Sequence, residues 1–333
     1  MVPRQPRSRP RTRRLFTSRP RGARTLLAAL VIAAVAVPVS GAARPSAVPA
    51  PAPAALAPLR ATPAALAVRY AVNRGSIQAA ERMATGHGDR KRAAALRELA
   101  DPERHFLFFD GRDGGRSVEV FGDLSTARRI AVLVPGAGIG LDKYWRLRAG
   151  GVALQRELGD GSAVIGWLGY ATPATVSPEA VTPGLAEHAA PELRAFLNEL
   201  KRSKPSARIT LLCHSYGSVV CAEAASDLKV SDIVLYGSPG TGAHSVAALH
   251  TPATVWAGRG GSDWIGHVPH ARLRLPFVTF GFGTDPVSPE FGARHFAAGD
   301  GGHSDYLKPG SLSLKNLARI VSGRTPAEEG RHA

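Results

Sequence analysis

Residues 208–221 read R-I-T-L-L-C-H-S-Y-G-S-V-V-C. Ile209 to Leu212 is a short apolar run, as a buried strand requires. Cys213-His214-Ser215-Tyr216-Gly217 follows, and then a helix-compatible run from Ser218 to Ala225. Strand, small-x-Ser-x-small, helix is the pattern of a nucleophile elbow. At the tip of so tight a turn the Ser backbone is strained. The residues two before and two after it press on neighbouring backbone, so they must be small. Gly217 meets that demand. Cys213 stands where Gly is usual, small but not minimal. An ordinary strand-to-helix turn containing Ser shares this five-residue pattern, so the rest of the chain has to decide.

Working outward, Arg129 to Val134 is a continuous apolar run, as in a strand buried on both faces of a parallel sheet. It ends in Pro135-Gly136-Ala137-Gly138. Trp145 to Leu158 reads as a helix, Ser162 to Leu168 as a strand and Pro183 to Arg202 as a helix. Beyond the elbow, Asp232 to Tyr236 and Thr254 to Ala257 read as strands, Phe277 to Gly281 as the last strand, and Leu312 to Val321 as the closing helix. His105 to Phe109 and Ser117 to Phe121 flank a Gly-rich turn and read as a hairpin. Strands alternating with helices imply a mostly parallel sheet with helices on both faces. Ligands of such sheets sit outside the carboxyl ends of the strands, where this chain places its Gly-rich loops.

The termini read differently. The 333 residues carry 42 basic and 26 acidic side chains, a net charge of +16. Residues 1–25 hold nine Arg and no acid; without them 33 basic side chains face 26 acidic ones, leaving +7. The excess charge is therefore largely N-terminal, and no basic stripe with interleaved aromatics points to nucleic acid. Leu26 to Val39 has the length of a signal-peptide apolar region, and Ser40-Gly41-Ala42-Ala43 suits cleavage after Ala42 or Ala43. Residues 1–43 are thus expected to be a signal peptide. Thr12-Arg13-Arg14-Leu15-Phe16 resembles a twin-arginine motif, and that route and the general secretory route both stay open. Residues 44–65 read as an Ala/Pro-rich linker, 66–104 as a helical segment broken near Thr85 to Asp89, 105–322 as the main domain, and 323–333 as a frayed polar tail. A disulfide needs close and correctly aimed Cβ atoms, which the sequence alone does not establish for Cys213 and Cys221, so the two read as buried thiols.

A nucleophilic Ser needs a base, an orienting acid and an oxyanion hole. In chains with this elbow the acid follows the nucleophile and the His comes last. His303 alone lies after the last strand and just before the closing helix, which makes it the candidate base. Asp263, in the Gly-rich loop after Ala257, is the first candidate acid. Asp285 and Asp305 compete with it, although Asp285-Pro286 also suits a turn. The oxyanion donors are expected to be the amides of Tyr216 and of Ala137, with Gly138 as the alternative to Ala137. His214 neighbours Ser215 and is expected to point away from it. His267 and His270 are spaced H-x-x-H, but Pro269 spoils a helix there and no third ligand appears. No metal and no cofactor is assigned.

Val134 to Gly138, the Cys213 to Ser218 elbow, Gly283 to Pro286 with Phe291-Gly292, and His303 to Tyr306 together resemble the actinobacterial α/β-hydrolase-like domain family, long carried as a domain of unknown function. The resemblance covers roughly Phe106 to Val321 and departs at Cys213. It implies an α/β-hydrolase fold and a Ser hydrolase, and it supplies no substrate. Only Gly237 to Pro252 lies between the strand after the elbow and the next one, so no large cap domain is expected. Tyr170, Trp145, Trp264 and Phe282 are candidate pocket residues. An exported serine hydrolase of esterase or lipase type follows, acting on a small-molecule or lipid-like ester. Its net charge is compatible with a cell-envelope association. A non-catalytic envelope-associated binding protein and an acyltransferase using the same residues stay open beside it.

Overall fold

A computed structural model describes residues 48–276 and 278–327. The expected signal segment and the end of the tail lie outside the described residues. An eight-stranded sheet has the order β1-β2-β4-β3-β5-β6-β7-β10. Its strands are β1 (His105–Asp110), β2 (Arg116–Gly122), β3 (Arg129–Val134), β4 (Ser162–Leu168), β5 (Arg208–His214), β6 (Asp232–Tyr236), β7 (Thr254–Gly258) and β10 (Arg294–His295). The β1–β2 hairpin and the β2–β4 pair are antiparallel. From β4 through β3, β5, β6, β7 and β10 every pair is parallel.

Alternation along the strands splits the core in two. Ile130, Val132 and Val134 point into one apolar cluster, Ala131 and Leu133 into the other, as the two-residue period of a strand dictates. Helices α4 (Gly184–Ser203) and α5 (Gly217–Ala224) cover the first face. Helices α2 (Arg90–Leu99), α3 (Trp145–Leu158) and α6 (Leu312–Val321) cover the second, with part of α1 (Pro63–Gly86). This is the α/β-hydrolase fold, with no large cap: residues 237–253 hold only a short 3-10 turn, Ala247–Leu249.

Three expectations about the course of the chain need correction. Phe277 to Gly281 does not close the sheet. Thr279–Phe280 (β9) pairs instead with Leu273–Arg274 (β8) in a separate hairpin, and the sheet's edge place goes to Arg294–His295 beside β7. The adjacent Phe296 is 5% exposed and seats its ring against Gly258, where a methyl group would stand 2.5 Å from it; that anchor fixes the edge strand. The Ala/Pro-rich segment is not a free linker from residue 48 onward. It forms no helix or strand before Pro63, yet Leu59 is buried and its N–H donates to Glu199 Oε1 at 2.6 Å. The tail is not frayed through residue 327 either, because buried Asn316 accepts from Ala327 N at 2.8 Å and donates to Ala327 O at 3.1 Å.

Candidate active site

The elbow joins β5 to α5, at the carboxyl ends of the central strands. Ser215 has φ 52°, in the left-handed region that a non-glycine residue occupies only when its surroundings hold it there. Neighbouring backbone explains the small residues. A methyl group on Gly217 would stand 2.5 Å from Val134 O and 2.7 Å from Pro135 O. At the other small position Cys213 is fully buried and joined to Cys221 by a disulfide. This corrects the expectation of two thiols. Cys213 lies near the end of β5 and Cys221 in the second turn of α5, and the tight turn between them brings their Cα atoms to 6.4 Å, within bridging range.

Ser215, His303 and Asp263 meet at this elbow. Ser215 Oγ lies 3.0 Å from His303 Nε2, and His303 Nδ1 lies 2.9 Å from Asp263 Oδ1. The carboxylate fixes the tautomer: Nδ1–H donates to Asp263, which leaves Nε2 to accept from the Ser hydroxyl. The Asp263 side chain is fully enclosed. Burial pushes its carboxyl pKa up, but hydrogen bonds from His303, Tyr306 and the Ile265 amide outweigh burial and hold it below its ordinary value. Room for the pair comes from Gly237, where a Cβ would stand 3.0 Å from Asp263 Oδ2 and 3.3 Å from His303 Nδ1.

The competing acids are engaged elsewhere. Asp285 pairs with Arg259 at 2.6 Å, and Asp305 accepts from Gly302 N at 2.9 Å within its own turn. The competing oxyanion donor is also committed, since Gly138 N–H donates to Pro173 O at 2.8 Å. Gly136, which precedes Ala137 in the chain, touches Ser215, which precedes Tyr216. Among the described residues no cluster of His, Cys, Asp and Glu could hold a metal ion.

Of the candidate pocket residues, Tyr170 and Phe282 are buried scaffold. Tyr170 OH donates to Pro135 O at 2.6 Å and its ring stacks on Tyr216. Phe282 sets its edge against Tyr216. Tyr216 OH donates in turn to Thr182 O at 2.8 Å, so the loops after β4 and β9 are fastened beside the elbow. Trp145 and Trp264 are exposed instead, and Trp264 lies 4.7 Å from the His303 ring.

Two further residues serve the site. Tyr306 OH donates to Asp263 Oδ2 at 2.5 Å and accepts from Gly260 N at 3.0 Å. A Tyr one turn beyond the candidate base was the available signal, but sequence does not show which way that turn folds. His214 points away from Ser215, as expected, and its Nε2–H donates to the His303 carbonyl at 2.8 Å. Burial, and then the neighbouring His303, lower its pKa from 6.5 to about 4, so it stays neutral.

Residues 110–273 match the model of an α/β-hydrolase family, Abhydrolase_8. The uncharacterized protein Rv2079 of Mycobacterium tuberculosis is 32% identical over 273 residues, 70% of this chain and 41% of that protein. Rv0963c of the same organism is 32% identical over 178 residues, 46% of this chain and 66% of that protein. This chain thus spans about two fifths of the length of the curated relatives it matches first. Among solved structures it is similar to XC6422 of Xanthomonas campestris, an α/β serine hydrolase without lid (TM-score 0.44, 20% identity, 68% of this chain and 98% of that one). It is also similar to the esterase LipW of Mycobacterium marinum (TM-score 0.40, 15% identity, 82% and 96%). Elbow and sheet order agree with the match over residues 110–273: the chain has the α/β-hydrolase fold and, across that segment, resembles an α/β-hydrolase family.

Proposed function

We propose that the chain is a serine hydrolase of carboxylic esters, with Ser215 as nucleophile, His303 as base and Asp263 as orienting acid. The observation that carries this reading is the unbroken hydrogen-bond path Ser215 Oγ, His303 Nε2, His303 Nδ1, Asp263 Oδ1. Ser215 Oγ attacks the ester carbonyl carbon while its proton moves to His303 Nε2. The carbonyl oxygen becomes an oxyanion held by the Tyr216 and Ala137 amides, each such donor contributing about 3 kcal/mol. The tetrahedral centre then collapses. The bond to the alcohol oxygen breaks, and His303 returns the proton to that oxygen. Water attacks the acyl-Ser215 by the same steps in reverse order and releases the acid.

A fluorophosphonate probe is expected to label the full chain, and Ser215→Ala to abolish labelling. Nitrophenyl esters of rising acyl length then report turnover, and His303→Ala is expected to lose about 10⁴-fold or more. A folded wild-type chain that neither reacts with the probe nor cleaves any ester would falsify the proposal in favour of a non-catalytic binding protein.

Export belongs to the same reading. The N-terminal Arg-rich and apolar pattern motivates it, and a disulfide fits an oxidising compartment. A chain shortened to begin after Ala42 or Ala43 and recovered outside the cytosol is the expected result. Recovery of only the full-length chain in the cytosol refutes it.

A further inference from the structure

Two rings pack against the imidazole of His303. His214 lies 4.8 Å away between centroids and stands among Tyr236 and Tyr306. Trp264 lies 4.7 Å away, tilted by 47°, and is 50% exposed. The first is scaffold; the second presents a large flat apolar ring to solvent beside the proton carrier. Its position is fixed by the acid itself. Asp263 caps the short 3-10 turn Trp264–His267, accepting from Ile265 N at 2.9 Å. The residue that orients His303 therefore also sets the indole beside it.

The chemistry says which part of a substrate meets this ring. His303 Nε2 takes the Ser215 proton and must hand it to the departing alcohol oxygen. That oxygen comes within hydrogen-bond reach of Nε2, about 3 Å, so the group attached to it runs beside the imidazole. The acyl part is fixed from another direction, by its carbonyl oxygen at the Tyr216 and Ala137 amides. We infer that Trp264 is a specificity-determining residue for the leaving group, and that the preferred esters carry an alcohol portion with a flat apolar or aromatic surface. The inference rests on the reading of Ser215 and His303 as the attacking and proton-carrying pair.

The test compares wild type with Trp264→Ala on 2-naphthyl acetate and methyl acetate, so that the intrinsic reactivity of each ester cancels in the ratio. Loss of kcat/KM on the naphthyl ester is expected to exceed that on the methyl ester by about tenfold or more. Trp264→Phe recovers most of the difference. Along a series of naphthyl esters of lengthening acyl chain, the variant's loss stays constant. Equal losses on both alcohols overturn the inference, because the indole then only supports His303. A loss that grows with acyl length overturns it in favour of an acyl wall. Fluorophosphonate labelling separates the two levels. A labelled Trp264→Ala chain with unaltered leaving-group preference sinks this inference alone, whereas an unlabelled wild type removes the reading beneath it.

Discussion

A methyl group on Gly136 would stand 2.6 Å from Ser215 Cβ and 3.1 Å from its Oγ, so the loop after β3 and Ser215 meet at backbone distance. Ala137, whose amide is the proposed oxyanion donor, is the next residue along this loop. The contact also explains why the loop must carry glycine at 136, whichever chemistry the site performs.

Gly136→Ala is therefore expected to push Ser215 off its place. His214 O, 3.0 Å from the added methyl, is backbone and cannot swing aside. A displacement approaching 1 Å costs about 10²-fold in rate, and the overpacking costs roughly 1–3 kcal/mol of stability. Fluorophosphonate labelling rate and ester turnover should fall together by about that factor, in a chain that still unfolds cooperatively. Labelling at the wild-type rate would show that the loop yields and that the contact does not set the geometry.

Tyr306→Phe removes one hydroxyl and two hydrogen bonds, one to Asp263 Oδ2 and one from Gly260 N, while the ring keeps its edge contact with Tyr236. Leaving such buried partners unpaired costs about 1–3 kcal/mol. The carboxyl pKa of Asp263, held below its ordinary value, should rise. A depressed carboxylate stabilises the fold above its unfolded pKa, and that contribution is lost as pH falls through the folded one. The variant should thus be less stable than wild type at pH 7, with the gap narrowing below about pH 4. Urea unfolding at pH 7 and at pH 3.5 measures the gap. A parallel drop in kcat with little change in KM is the expected kinetic signature of a positioning residue.

Much of this site was legible before the structure because its signals are local. The elbow is spelled by five consecutive residues, and the order Ser215, Asp263, His303 follows from which strand each loop terminates. What escaped reading depends on how distant loops fold back. Asp263 and Asp285 both follow strands in Gly-rich surroundings. The fold separates them: Asp263 reaches His303, whereas Asp285 pairs with Arg259, and Arg259 looks like any loop arginine in the sequence. The last strand misled for a physical reason: Val278 to Phe280 has strand-like composition, but a two-residue pairing with Leu273–Arg274 satisfies it locally. The short Arg294–His295 has no apolar pattern and takes its edge place through the neighbouring Phe296.

The Cys213–Cys221 disulfide spans the elbow, tying the end of β5 to the second turn of α5. A loop this short removes about 2–3 kcal/mol worth of unfolded-chain entropy at 25 °C. Replacing both residues, Cys213→Gly with Cys221→Ala, should lower Tm by roughly 5 °C or more for a chain of this size. Calorimetry without reductant measures it. Because Gly suits the tight position before Ser215, labelling by the probe should survive in the folded variant. Loss of labelling without loss of Tm would show instead that the bridge positions Ser215 rather than stabilising the fold.

His214 makes the pH response of stability testable apart from catalysis. Its Nε2–H donates to the His303 carbonyl, and burial, then the neighbouring His303, lower its pKa from 6.5 to about 4. In the unfolded chain it binds a proton near its ordinary value, whereas in the fold it resists protonation until about pH 4. The unfolded state thus holds more protons across this window, so stability rises with pH. The contribution is fully present above about pH 6.5 and is lost as pH falls toward 4; its size is at most on the order of 3 kcal/mol. His214→Gln keeps an N–H donor for the His303 carbonyl and cannot titrate. Its unfolding midpoint in urea should consequently fall less than that of wild type between pH 7 and pH 4. Equal declines would mean that another group carries the acid sensitivity and that the His214 ring accepts its proton inside the fold.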